Sequence, residues 1–285
     1  MSIGSKIAAL RRRERMTQEQ LAEKLDVSFQ AVSAWERDEY LPETKKLVVL
    51  ARTLNTSLDA LIDETEHPWE LRDPNFDPEH QYTFLKARAQ SLGLTQTLAA
   101  LPLMREKHDG QTRNGMVARV PYRVHPLTLA CHALAMGIGE DDVLAALLLH
   151  DVVEDTDTKP EELPVNERVR EAVKLVSYNT YYPPENPHPS DDEEKAIKQR
   201  IKPEYYANIK KNPLAALIKC IDRCNNLSCM ADGFTREKQA TYVVETECYI
   251  LPLLDVIKAV PEWNNAAWLL RYSIISLLET FKRVL

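Results

Sequence analysis

One stretch of this chain leaves little freedom for its fold. An unbroken apolar run, VLAALLL at 143–149, ends directly in His150-Asp151 and then Glu154-Asp155. Seven apolar residues are too few to cross a bilayer, so the run reads as a helix inside a protein core. Its polar end is therefore carried into the interior as well. Positions 150 and 154, and 151 and 155, are four apart, which places these groups on one face of a continuing helix. A helix C-terminus carries partial negative charge and prefers cations, yet Asp151, Glu154, Asp155 and Asp157 crowd there. That crowding is costly unless a positive charge sits nearby, and a divalent metal ion would supply one.

Two further clusters carry suitable donors: Val124-His125-Pro126, and LIKCIDRCNNL at 217–227 with Asp222, Arg223 and Asn226. Taken singly, a histidine before proline is more often a capping or core residue, and Asp222-Arg223 could be a simple ion pair. Taken together, His125, His150, Asp151 and Asp222 make a mixed nitrogen–oxygen set. Such a set, with positions left for water, suits Mn2+ or another first-row divalent ion better than a closed structural zinc site. The ion would lower the pKa of a water and polarise a phosphoryl oxygen. Glu154 or Asp155, one turn beyond the ligands, could orient that water or shuttle its proton.

The rest of the chain reads as all-α. Only 7 of 285 residues are glycine, and Pro or Gly punctuates amphipathic stretches at 127–136, 141–153, 165–177, 191–211, 214–230, 236–260 and 264–284. The best break in composition is HPWELRDPNFDPEHQ, with three prolines. The reading is a domain over 1–66, a Pro-containing linker over 67–82 and a second domain over 83–285. A second Pro-rich stretch at 181–190 reads as a surface loop. Five cysteines make no disulfide framework and fit a cytoplasmic protein. Cys220, Cys224 and Cys229, on one helix, read as buried structural residues. The uncharged run 124–139 contains two His and a Pro and is too short to span a membrane.

The first 65 residues divide into short helices. A basic stretch at 3–15 with Arg11, Arg12, Arg13 and Arg15 comes first. Thr17 and Gln20 form a capping box opening 18–25, and Ser28 caps 29–37. Pro42 precedes 43–54, and 58–62 closes the unit. Two short helices joined by about three residues is the helix-turn-helix layout. The string MTQEQLAEKLDVSFQAVSAWERDEYLPETKKLVVLARTL closely resembles the Xre/Cro-like helix-turn-helix family. The resemblance implies a five-helix DNA-binding domain in which Gln18, Ser28, Gln30 and Ser33 face phosphates and base edges, with Arg37 near the backbone. It also implies a double-stranded operator and, since one copy reads one half-site, a homodimer or higher homo-oligomer. Asp38 stands where the family usually has Gly, a change expected to affect a turn more than recognition.

Residues 108–227 resemble the HD-type hydrolase domain of the RelA/SpoT alarmone family, including the small alarmone hydrolases. The matching pieces are HDGQTRNG, PYRVHPLTLA, AALLLHDVVEDTDT and LIKCIDRCNNL, with ETECYILPL a weaker continuation. The HDxxED pattern sets this group apart from the wider HD superfamily. By matching position, His125, His150, Asp151 and Asp222 would bind the metal, and Glu154 and Asp155 would be the catalytic pair. Arg113 and Asn226 would contact the nucleotide, and Tyr249 would line its pocket. The resemblance implies removal of the 3′-pyrophosphate from a guanosine alarmone, and its fusion to a DNA-binding unit suggests an alarmone-degrading regulator of its own promoter. The family's basic residue after Arg113 is Asn114 here, three extra residues precede Pro121-Tyr122, and Asn225 replaces a histidine. These changes leave two rivals open: an alarmone sensor that regulates transcription, or a hydrolase of another nucleotide such as an adenosine alarmone or a deoxynucleotide.

The chain's net charge of -7 disfavours a surface coated for nucleic acid. Any polyanion must be held by local positive charge.

Overall fold

A computed structural model of the chain describes residues 2–56, 58, 61, 77–113, 120–182 and 190–285. Among these the only β pairing is an isolated bridge between Thr112 and Pro121; the rest of the regular structure is helical. The chain divides into two compact units, Met1–Glu70 with Gly233–Gln239, and Leu71–Asp232 with Ala240–Leu285. Of the linker reading, 67–76 lie outside the described residues, as do Asn114 and most of the 181–190 loop, His188 included.

In the first unit, α1 (Ile3–Arg13), α2 (Gln18–Leu25), α3 (Phe29–Glu36) and α4 (Thr44–Thr53) enclose one core. Ile7, Leu21, Val32, Leu50, Leu54 and Leu61 are fully enclosed in it. Thr17 and Gln20 close the expected capping box, and Ser28 accepts from the Ala31 amide. The basic helix stops at Arg13, short of the expected residue 15, because Arg15 is left-handed (φ 55°). Most of the closing segment 58–62 lies outside the described residues.

Asp38 shows what its departure from glycine does. Its φ is +58°, a conformation that costs an ordinary side chain energy and explains the family's glycine. The aspartate offsets this by bonding: Oδ1 accepts from the Gly4 amide at 2.7 Å and Oδ2 from the Ser2 hydroxyl at 2.5 Å. The carboxylate thus caps α1. Gly4 is required at this contact, since a Cβ there would fall 2.2 Å from the Trp35 carbonyl oxygen.

The second unit contains α5 (Pro78–Leu92), α6 (Thr95–Lys107), α7 (Val124–Ala135), α8 (Asp141–Leu149), α9 (Val152–Asp155), α10 (Glu167–Val176), α11 (Asp191–Ile209) and α12 (Pro213–Gly233). Next come α13 (Arg236–Glu245), whose residues up to Gln239 group with the first unit, α14 (Leu253–Lys258) and α15 (Asn264–Val284). The apolar run forms α8, buried at every position from Val143 to Leu149 among α6, α7 and α10. Burying each such side chain contributes roughly 1.5–3 kcal/mol for the larger residues, which makes α8 the anchor of this unit. Asp141 ties α8 to its neighbour by accepting from the Gln96 and Thr97 amides at 2.9 and 2.8 Å, capping α6 from outside.

Two expected helices are interrupted. The stretch 141–153 breaks after Leu149, where the His150 imidazole lies 2.8 Å from the Leu147 carbonyl, one of the acceptors a helix end leaves unpaired. The stretch 236–260 contains a π turn, Thr246–Ile250, closed by Leu251 N–H to Thr246 O at 3.0 Å. Pro252, which follows directly, has no N–H to continue an α-helical ladder. No helix among the described residues is long and apolar enough to cross a membrane.

Candidate functional site

Three helices of the second unit bring the histidines and aspartates together. His125 stands in the first turn of α7, His150 and Asp151 follow the end of α8, and Asp222 lies midway along α12. His125 Nε2 is 3.2 Å from Asp222 Oδ1 and 3.6 Å from Asp151 Oδ2. His150 Nε2 is 3.0 Å from Asp151 Oδ2 and 4.0 Å from Asp222 Oδ1. One ligand atom each from His125, His150 and Asp151 lies within 4.8 Å of the others, a grouping able to hold a metal ion. Both histidines are 2% exposed and Asp222 is 6% exposed, so the donors face one another in a nearly dry pocket.

The imidazoles are oriented as ligands require. His150 Nδ1 is tied to the Leu147 carbonyl, and His125 Nδ1 lies 2.8 Å from Asn225 Oδ1. Each Nδ1 therefore carries the proton in the neutral ring, which leaves the Nε2 lone pairs aimed at the carboxylates. His150 Nε2 is buried and makes no hydrogen bond despite its short approach to Asp151. An orphaned donor atom of this kind, beside two carboxylates, fits a divalent cation.

The electrostatics describe the same crowding. Burial opposes charge on His150, but Asp151 and Asp222 outweigh it and push the imidazole up to about 9. Burial also opposes ionisation of Asp222, but Lys219 and His125 hold it well below the usual carboxylate range. Asp155 is pushed up to about 7, by burial first and then by the charges of Asp151 and Glu154.

Other sequence-assigned residues fall around this pocket unevenly. Arg113 reaches Asn226 Oδ1 at 2.6 Å and Asn225 Oδ1 at 3.3 Å. Asn226 in turn donates to Asp222 Oδ1 at 2.6 Å, so both contact the rim of the ligand set. Asp155 shares Tyr122 as a hydrogen-bond partner with Asp151. Glu154 turns to the other side, accepting from the Tyr178 amide at 3.0 Å and pairing with Lys198 at 3.2 Å. The break after Leu149 separates two groups that an unbroken helix would have put on one face. Tyr249, on the π turn, stacks on Tyr206 with ring centroids 4.6 Å apart.

Three participants escaped the sequence reading, and a fourth, Asn225, is legible there only as a departure from the family. The Tyr122 hydroxyl donates to Asp151 Oδ2 at 2.5 Å. Asn225 orients His125. Lys219, three residues before Asp222, donates to Asp222 Oδ2 at 3.1 Å, and Lys198 holds Glu154. The signal for Lys219 was its spacing, since i and i+3 share a helix face. Lys198 left none, because it comes from a helix remote in sequence.

On the first unit, Ser28, Gln30 and Arg37 are exposed along or beside α3, the second helix of the pair. The Arg37 guanidinium bonds to the Ser33 hydroxyl and to Glu39 at 2.8 Å. Gln18 donates to Glu36 Oε2 at 2.6 Å. Two of the clustered arginines serve folding: Arg11 grips Glu36 at 2.6 and 2.9 Å, and Arg13 bonds the Leu54 and Asn55 carbonyls.

Known proteins match both units. The helix-turn-helix family matches residues 7–61. The immunity repressor protein of Bacillus phage phi105 is 36% identical over 64 residues, covering 22% of this chain and 44% of the repressor. A guanosine-3′,5′-bis(diphosphate) 3′-pyrophosphohydrolase of Aquifex aeolicus is 33% identical over 162 residues, 54% of this chain. The match spans only 20% of that longer protein. The Xenopus tropicalis protein of the same name is 30% identical over 152 residues, 51% of this chain and 77% of the relative. With a helix-turn-helix domain at its N-terminal end, the chain belongs to the guanosine-3′,5′-bis(diphosphate) 3′-pyrophosphohydrolase family.

Proposed function

We propose that the chain is a metal-dependent 3′-pyrophosphohydrolase of guanosine tetra- and pentaphosphate, joined to a DNA-binding domain through which it regulates its own promoter or neighbouring genes. The observation that carries the reading is the convergence of two oriented imidazole Nε2 atoms on two carboxylates, buried Asp222 and partly exposed Asp151. His125, His150, Asp151 and Asp222 would hold the ion, with Mn2+ the first choice for so mixed a donor set. When bound, it supplies Lewis-acid polarisation of a phosphoryl oxygen and a water-derived nucleophile at neutral pH.

The chain's own residues do the rest. Arg113 supplies positive charge for the polyanion, and Asn226, anchored on Asp222, supplies an amide beside it. Tyr249 offers a ring face to a base. Asp155, poised near 7, takes or gives a proton at its carboxyl close to neutral pH, and Tyr122 fixes its neighbour Asp151. Glu154, held by Lys198, completes the acidic pair. On the DNA side, Gln18, Ser28, Gln30, Ser33 and Arg37 would meet phosphates and base edges of a double-stranded operator, with half-sites read by paired copies. A cytoplasmic setting accords with five free cysteines.

The test is a panel of nucleotides incubated with the purified chain and each divalent metal, the products resolved by ion exchange. Pyrophosphate release from the guanosine alarmones, abolished in Asp151→Ala, is the expected result. Consumption of an adenosine alarmone or deoxynucleotide instead would move the substrate assignment. No turnover, with DNA affinity shifting on alarmone addition, would make the pocket a sensor.

A further inference from the structure

The second helix of the helix-turn-helix pair, α3, turns one side to its core and another outward. Val32 and Trp35 are buried. Successive helical residues are about 100° apart, so Phe29, Gln30, Ser33 and Arg37 fall within one arc of about 100° on the side away from them. Phe29 is 40% exposed, and it belongs neither to the core of the first unit nor to the partly buried side chains packed against that core. Exposure alone decides nothing, because single exposed apolar residues are ordinary on a protein surface. Its position is what counts. Phe29 opens α3, and the N-terminal residues of a recognition helix are the ones that reach base edges in the major groove.

The polar groups around it narrow what this turn can read. Gln18 donates to Glu36 at 2.6 Å, the Ser28 hydroxyl accepts from the Ala31 amide at 3.2 Å, and Arg37 bonds to both Ser33 and Glu39. These side chains are engaged within the chain. The Gln30 amide makes no such bond among the described residues, so the first turn of α3 offers a duplex chiefly a phenyl ring and one side-chain amide. A phenyl ring carries neither donor nor acceptor and can tell bases apart in the groove only by apolar contact. The apolar group that a base pair displays there is the 5-methyl of thymine.

We propose that Phe29 is a specificity-determining residue that reads a thymine 5-methyl group in each half-site of a double-stranded operator. The proposal rests on the DNA-binding reading above. Gln30, next along the helix, matches adenine N6 and N7, so the two adjacent side chains suit neighbouring A·T pairs. Contact with a methyl group displaces no counterion, so Phe29 adds sequence discrimination without adding to the salt dependence of binding.

The test begins with duplexes selected from a random pool by the full chain. Each thymine of the preferred sequence is then replaced singly by uracil, which removes the methyl and leaves every donor and acceptor in place, and affinities are measured by fluorescence anisotropy. For the wild type, uracil at one position of a half-site should weaken binding about fourfold, the effect of withdrawing one methyl-sized group from an apolar contact. Phe29→Ser should bind the thymine and uracil duplexes equally, and Phe29→Leu should retain most of the difference. Both variants should keep the wild-type slope of affinity against salt and the wild-type unfolding midpoint followed at Trp35. A preferred sequence without thymine, uracil that matches thymine at every position, or a Phe29→Ser variant with the full uracil penalty each overturns the proposal. A selection that enriches no sequence overturns the DNA-binding reading itself, and this proposal with it.

Discussion

Asn225 marks the difference between identifying a ligand and finding what orients it. Its amide oxygen takes the His125 Nδ1 hydrogen and so turns Nε2 toward Asp151 and Asp222. Asn225→Leu should therefore weaken divalent-metal affinity by about 10–100-fold while leaving the fold intact, measurable by calorimetric titration with Mn2+. Asn225→His, the family's residue, should restore most of it, because an imidazole can also accept at that distance. Glu36 plays a comparable part in the first unit. Burial opposes its charge, but the Arg11 guanidinium and the Gln18 amide hold its carboxyl below the ordinary range. A group whose folded pKa is depressed contributes stability above its unfolded pKa, near 4.5, and loses it as pH falls through the folded value. The helix-turn-helix unit should therefore lose stability progressively below about pH 4.5, and Glu36→Gln should flatten that dependence and cost about 2 kcal/mol at neutral pH. Chemical denaturation followed by the fluorescence of Trp35, which packs in the same core, reads both effects.

At the scale of elements, α8 determines how well the site is held. Its seven buried residues leave Leu147 no room to relax, so Leu147→Ala should destabilise the second unit by about 2–5 kcal/mol. Because the Leu147 carbonyl also seats His150, the same change should loosen the metal pocket, visible as a larger loss of thermal stability in Mn2+ than in chelator. The sequence made α8 plain, since an apolar run followed by HDxxED has few places to go. Its end was harder to read. A four-residue spacing places His150, Asp151, Glu154 and Asp155 together only if the helix continues, and the imidazole's contact with Leu147 ends it. Glu154 consequently meets Lys198 of α11, a residue 44 positions on. In the first unit the capping box, the Ser28 cap and the helix starts were all legible, because these are local bonds written in adjacent residues. The roles of Arg11 and Arg13 were not, since a guanidinium that grips Glu36 or two carbonyls looks the same in sequence as one facing a phosphate.

For the whole molecule, two compact units imply two unfolding events. The candidate metal ligands His125, His150 and Asp151 all lie in the second, so Mn2+ at a hundred times its dissociation constant should raise that unit's stability by about 2.7 kcal/mol and leave the first unchanged. Differential scanning calorimetry with and without chelator should show one transition moving and one fixed. The net charge of -7 conceals this division of labour. Carboxylates gathered around a cation site and arginines spent on internal bonds contribute to the sum without describing any surface, and DNA affinity carried by the remaining exposed groups should fall steeply with salt. The π turn at Thr246–Ile250 has a consequence for how the chain tolerates length changes. A π turn is an α-helix with one residue too many, absorbed as a local widening that keeps the flanking segments in phase. Deleting one residue there should close the bulge and leave α13 and α14 facing as they do, at the cost of the Tyr206–Tyr249 stack. Adding one has no such outlet, and would turn α14 by about 100° about the helix axis relative to α13.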